Sequence, residues 1–158
     1  MEKLDMAPHE AQLRASLGRC KLFASLSTAQ IDEVARHGEF LQFSRGEAIA
    51  RQGMTGDAFF VIVSGDTAVE MVSPDTGYSF ALARLSAGEF FGEMATLLGS
   101  ERNANVVTES PFCTVLRYSS EQFKNMLRNL PYFSAALAHS LAQRLQRTSV
   151  QTSPSNEE

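Results

Sequence analysis

The sequence holds only two cysteines, three histidines and no excess of positive charge, and each shortage excludes a class of function. Cys20 and Cys113 lie far apart, in neither CxxC spacing nor a ligand cluster, so they read as reduced structural thiols rather than a zinc site. A metal-bearing jelly-roll enzyme needs several histidines and a carboxylate converging on one ion, whereas His9, His37 and His139 all fall outside the expected strands. Lys and Arg total 14 against 18 Asp and Glu, giving a net charge of −4, without the basic surface of a dedicated nucleic-acid binder. No apolar stretch approaches the ~18 residues of a membrane span. Met1, Glu2 and Lys3 lead into no apolar signal core, so the expectation is a soluble cytoplasmic protein away from the membrane. No Ser/His/Asp or Cys/His constellation, phosphate loop or dinucleotide fingerprint occurs, so no enzyme activity, metal or cofactor is expected.

What is present suits one domain. A chain of 158 residues, 44% of them hydrophobic, can bury one sizeable core but not two. Eight of the ten glycines lie between Gly38 and Gly92, among short apolar runs that read as strands near 39–43, 48–50, 58–64, 67–72, 79–85, 104–108 and 112–118. Val69 and Met71 share one strand face, and Phe80 and Leu82 alternate with small alanines, as half-buried strands require.

Helical signals flank this region. Pro8 can open a helix carrying Leu13 and Leu17. Ser27 and Gln30 have capping-box spacing before Ile31, Val34 and Ala35. Ser119 and Gln122 can cap a helix bearing Phe123, Met126, Leu127 and Leu130, and Pro131 suits the first turn of another carrying Phe133, Leu137, Leu141 and Leu145. The apolar face of that last helix either docks on the β core or pairs with a second copy in a homodimer. The segment 148–158 is too polar to bury itself and reads as a disordered tail. The fold expectation is therefore α+β: an antiparallel β-roll of the jelly-roll kind over 22–147, flanked by helices, with a helical flank at 1–21.

The chemistry concentrates between Phe91 and Val106. Gly92 lets the backbone approach a ligand, and the run from Glu93 to Leu98 forms a short helix whose first amides can face an anion. Arg102 returns after a loop containing Gly99, and its planar guanidinium can meet the same anion with two parallel hydrogen bonds. Ala104 is too small to obstruct it. Glu93 would repel a phosphate unless directed at a hydroxyl, so the combination suggests a phosphate joined to a sugar.

This stretch resembles the phosphate-binding cassette of the cyclic-nucleotide-binding family, shared by catabolite-activator-type regulators, cyclic-nucleotide-dependent kinases and gated channels. The likeness covers Leu22 to Leu145, with Gly46, Gly53, Gly65 and Gly88 at the family's turn positions and Phe60 to Gly65 and Leu85 to Glu93 as further signatures. It implies that Arg102 holds the exocyclic phosphate oxygens and Glu93 the ribose 2′-hydroxyl. Backbone amides around Gly92, Met94, Ala95, Asn103 and Ala104 would supply the other phosphate contacts. Val69, Leu82 and Leu85 would wall the base or sugar, or simply pack in the core.

Asn103 departs from the Ala, Ser or Thr common after the arginine, and an amide can both donate and accept, so either cAMP or cGMP fits. Only eleven polar residues follow Arg147, so no DNA-reading unit is expected in the chain. The expected role is a non-enzymatic sensor that passes cyclic-nucleotide binding through its C-terminal helices to a protein effector. The alternative is a ligand-independent interaction module that keeps the fold.

Overall fold

The computed structural model describes the backbone of residues 1–156 and the side chains of 1–147. Two antiparallel sheets are layered beneath a set of helices. The larger sheet runs β1 (Glu2–Lys3), β2 (Glu39–Ser44), β9 (Phe112–Ser119), β4 (Ala58–Ser64), β7 (Phe90–Phe91); the smaller runs β3 (Ala48–Ala50), β8 (Asn105–Thr108), β5 (Asp66–Val72), β6 (Ser79–Ser86). All seven strands expected from the apolar pattern form. The additional strands β1 and β7 are two residues each, too short for an alternation to declare them.

Because side chains alternate along a strand, the larger sheet feeds two cores. From β4, Phe59, Val61 and Val63 face the helices, while Ala58, Phe60 and Ile62 face the smaller sheet. Such two-sided burial explains why β4 is an unbroken apolar run. β7 continues the division: Phe90 joins the helical core and Phe91 the inter-sheet core.

Helices α1 (Glu10–Gly18) and α2 (Thr28–Arg36) precede the roll, with short 3₁₀ turns at Ala7–His9 and Lys21–Phe23. The capping box of α2 forms as its spacing predicts: Gln30 N donates to Ser27 Oγ at 3.2 Å and Ser27 N to Gln30 Oε1 at 2.9 Å. Ser119 likewise caps α4 (Ser120–Asn129), accepting from Gln122 N at 3.1 Å. Pro131 opens α5 (Pro131–Asn156). Phe133, Ala136 and Leu137 of α5 are buried in the helical core with Leu141 packed beside them, whereas Leu145 stands exposed. The backbone of α5 thus continues past Arg147; the polar tail expected at 148–158 falls where side chains lie outside the described residues. No helix among the described residues is long and apolar enough to cross a membrane.

Candidate functional site

Gly92 follows β7 and sets the geometry of the site. Its φ of 89° lies in the left-handed region, and an added Cβ would stand 2.8 Å from the Ala58 carbonyl oxygen and 3.0 Å from Arg102 Nη1. Glycine is therefore required twice, for the dihedral and for the closeness of approach. The chain then turns into α3 (Glu93–Leu98), whose N-terminus has no side-chain cap. Helix α3 sits against the loop before β4, where a Cβ on Gly56 would come within 2.4 Å of Ala95 Cβ. Sequence reading had no pattern from which to single out Gly56.

Arg102 lies beneath α3. It is 8% exposed and donates from Nη2 to the Ala58 carbonyl at 2.8 Å, an oxygen that also accepts from Thr96 Oγ1 at 2.8 Å. The nearest carboxylate, Asp57, is 3.9 Å away and largely in solvent, and the guanidinium carbon is 5.7 Å from the centre of the Phe60 ring. Burial pulls the Arg102 pKa below its ordinary value; Asp57 opposes this and Arg117 adds to it. Physically, Arg102 is a desolvated cation with incomplete charge compensation, which favours an incoming anion.

Glu93 is 7% exposed at the first turn of α3. Its partner comes from α5: Arg144 Nη1 donates to Glu93 Oε1 at 3.1 Å, and Arg144 Nη2 donates to the Phe90 carbonyl at 2.8 Å. The Arg144 guanidinium also lies 4.0 Å from the centre of the Phe90 ring. Sequence reasoning missed Arg144, since an arginine on the polar side of a long helix carries no local mark of function.

These groups line one cavity of about 420 Å³. Of the residues predicted from sequence, Phe91, Gly92, Glu93, Met94, Ala95, Arg102, Asn103, Ala104, Val69 and Leu85 all border it. Leu82 does not, and this expectation is corrected. The β5–β6 register pairs Val69 with Ala83 and Glu70 with Ala81, leaving Leu82 as the extra residue of a bulge. Leu82 is also an odd number of positions from Leu85, so the regular alternation would separate them, and it is 50% exposed. A wider cleft of about 940 Å³ separates the Lys21–Phe23 turn from α5. Among the described residues the only buried charged side chains are Glu93 and Arg102, and neither borders that cleft. No cluster of three or more His, Cys, Asp or Glu among the described residues is placed to hold a metal ion.

Residues 40–129, the span from β2 to the end of α4, match the family model of the cyclic nucleotide-binding domain. The chain belongs to this family. As a cyclic nucleotide-binding domain it is 33% identical over 129 residues to the cGMP-dependent protein kinase egl-4 of Caenorhabditis briggsae, covering 82% of this chain and 17% of the kinase. It is 34% identical over 110 residues to the cAMP-dependent protein kinase regulatory subunit of Mycosarcoma maydis, covering 67% of this chain and 21% of that subunit. The domain therefore spans less than a quarter of either relative. Among solved structures, the Thermus thermophilus catabolite activator protein superposes with a TM-score of 0.74 at 29% identity, over 84% of this chain and 61% of that one. A cyclic nucleotide-binding domain from Methylobacillus flagellatus shares the fold with a TM-score of 0.76 at 21% identity, over 98% and 88% of the two chains.

Proposed function

We propose that this chain is a non-catalytic sensor of a purine 3′,5′-cyclic nucleotide. The observation that carries this reading is the convergence of two buried, oppositely charged side chains, Arg102 and Glu93, on one cavity beside an uncapped helix start. Arg102 takes the exocyclic phosphate oxygens through a charge-assisted fork, and the amides around Gly92, Met94, Ala95, Asn103 and Ala104 take the others. Glu93 accepts from the ribose 2′-hydroxyl. Val69 and Leu85 supply the apolar wall, with Phe91 behind the cassette. Asn103 leaves both cAMP and cGMP open, as donor and acceptor are both available to the base.

The described residues that line the cavity include the carboxylates Glu89, Glu93 and Glu101 but no histidine and no cysteine. Output follows from linkage: a nucleotide that favours one arrangement of the cassette and of α4 and α5 shifts the protein toward it. The contact chain supports this route, since Phe59 of β4 stacks on Phe123 of α4 at 4.5 Å and meets Phe133 of α5 edge-on at 6.3 Å. The effector is a protein partner or another segment, in the cytoplasm, without DNA contact by this chain; α5 is the surface for any homodimer.

Calorimetric titration with cAMP and cGMP tests the reading. Saturable binding of either at a one-to-one ratio supports it. No binding of either sinks the sensor and leaves the ligand-independent interaction module.

A further inference from the structure

Strand β8 parts from β5 early. Its register sets Thr108, Val107, Val106 and Asn105 opposite Thr67, Ala68, Val69 and Glu70, yet β5 runs on to Val72. Continued by two residues, the same register would set Asn103 opposite Val72, and the Asn103 N–H would donate to the Val72 carbonyl. The side chain of Gln52 stands there instead. Its Nε2 donates to the Val72 carbonyl at 3.0 Å, and the Val72 N–H donates to its Oε1 at 2.8 Å. A primary amide carries the donor and the acceptor of a peptide unit, so Gln52 closes the ladder as a further residue of β8 would. Among the described residues the Asn103 N–H has no hydrogen-bond partner, and Asn103 borders the cavity. Gln52 does not border it. The chain just beyond Gln52 brackets the arginine: Gly53 N donates to the Arg102 carbonyl at 2.9 Å, and Arg102 N donates to the Met54 carbonyl at 2.8 Å. Gln52 N itself donates to Asn105 Oδ1 at 2.8 Å. None of these three bonds uses the Gln52 side chain, so Arg102 keeps its seat when that side chain is changed.

We infer that Gln52 is a positioning residue for the cyclic phosphate, acting through the backbone of Asn103. This rests on the sensor reading above and extends it to a side chain outside the cassette. A peptide N–H can serve the strand or the anion but not both at full strength. By standing in for Asn103 beside Val72, Gln52 satisfies the end of β5 and leaves the Asn103 amide to the phosphate. Without that surrogate, the Val72 carbonyl competes with the ligand for the same donor.

The test uses the full chain with Gln52→Met, which keeps the length of the side chain and removes its amide, and with Gln52→Glu. The carboxylate of the second variant accepts from the Val72 N–H but cannot donate to the Val72 carbonyl. Each variant is first shown to unfold cooperatively in urea. By calorimetry, both should weaken the tighter-binding of cAMP and cGMP roughly 10-fold, the equivalent of one hydrogen bond to a charged group. The phosphate-specific readout is the pair of diastereomeric cyclic phosphorothioates of that nucleotide, which carry sulfur at one exocyclic position or the other. Sulfur accepts weakly, so the affinity ratio of the pair compares the amide side of the phosphate with the Arg102 side. Only the amide side is altered in the variants, so that ratio should move at least about threefold, in the same sense in both. Affinity within about twofold of wild type in both variants overturns the inference. So does a weakened affinity with an unchanged ratio, which would make Gln52 a general support of the fold. In either case the sensor reading survives; only a wild-type chain that binds neither cAMP nor cGMP removes both.

Discussion

Replacing Arg102 by methionine should separate binding from folding. The methionine stem fills much of the same space beside Phe60 without the charge. On the stability side, the change removes one hydrogen bond to the Ala58 oxygen, worth about 1 kcal/mol, but that oxygen keeps its bond from Thr96 Oγ1. The ion pair to Asp57 contributes little, because at 3.9 Å the carboxylate is 75% exposed and screened by water. Relief of guanidinium desolvation works in the opposite direction. The net change in unfolding free energy should stay within about 1 kcal/mol of wild type. On the binding side, two hydrogen bonds to a charged phosphate at about 1.5–3 kcal/mol each are lost, at least about 3 kcal/mol in all. That is a hundredfold or more in Kd. Urea denaturation and calorimetry with the preferred nucleotide measure the two sides. A Kd within threefold of wild type refutes the assignment of the anion site. A stability loss above about 3 kcal/mol would instead show that Arg102 is a structural strut.

Three further outcomes follow from the geometry. Gly92→Ala forces a side chain into the left-handed region and against the Ala58 carbonyl, so roughly 2–4 kcal/mol should be lost and the melting temperature should fall by about 5–15 °C in calorimetry. Asn103→Thr should move the cGMP-to-cAMP affinity ratio toward cGMP in competition binding; an unchanged ratio would detach position 103 from base choice. Burial pushes the thiols of Cys20 and Cys113 up to about 11 and about 12. Below their unfolded pKa near ~8.5 both states are protonated and the thiols add no pH dependence. Above it the unfolded chain ionises first, so stability should fall as pH rises toward 11 to 12, and Cys113→Ala should flatten that fall in melts between about pH 9 and 11.

The legible parts of the sequence were those with a local physical signature. β4 declared itself through an apolar run between Gly56 and Gly65, β9 through one between Pro111 and the serines at 119 and 120, and the caps at Ser27 and Ser119 through side chains that satisfy amides three residues on. The cassette was legible because its devices are contiguous: glycine, helix start, loop and arginine lie within one short stretch. Leu82 was misplaced because alternation assumes an unbroken register, and a bulge is invisible without the partner strand. Arg144 and Gly56 were missed for the same reason at longer range. Each acquires meaning only from what the fold brings opposite it, Glu93 in one case and Ala95 in the other.

The two-sided burial of β4 has a mechanical consequence. Phe59 and Phe60 are neighbours in sequence, yet one rests on the rings of α4 and α5 and the other on Phe91 and below Arg102. The partition between helical layer and ligand chamber is thus a single strand thick, in an interior too close-packed to absorb a displacement. A shift on the chamber side cannot dissipate before it reaches the helices. By the same rule, the two sides cannot be redesigned independently: any sequence that reshapes the chamber floor also retunes the seat of the helices.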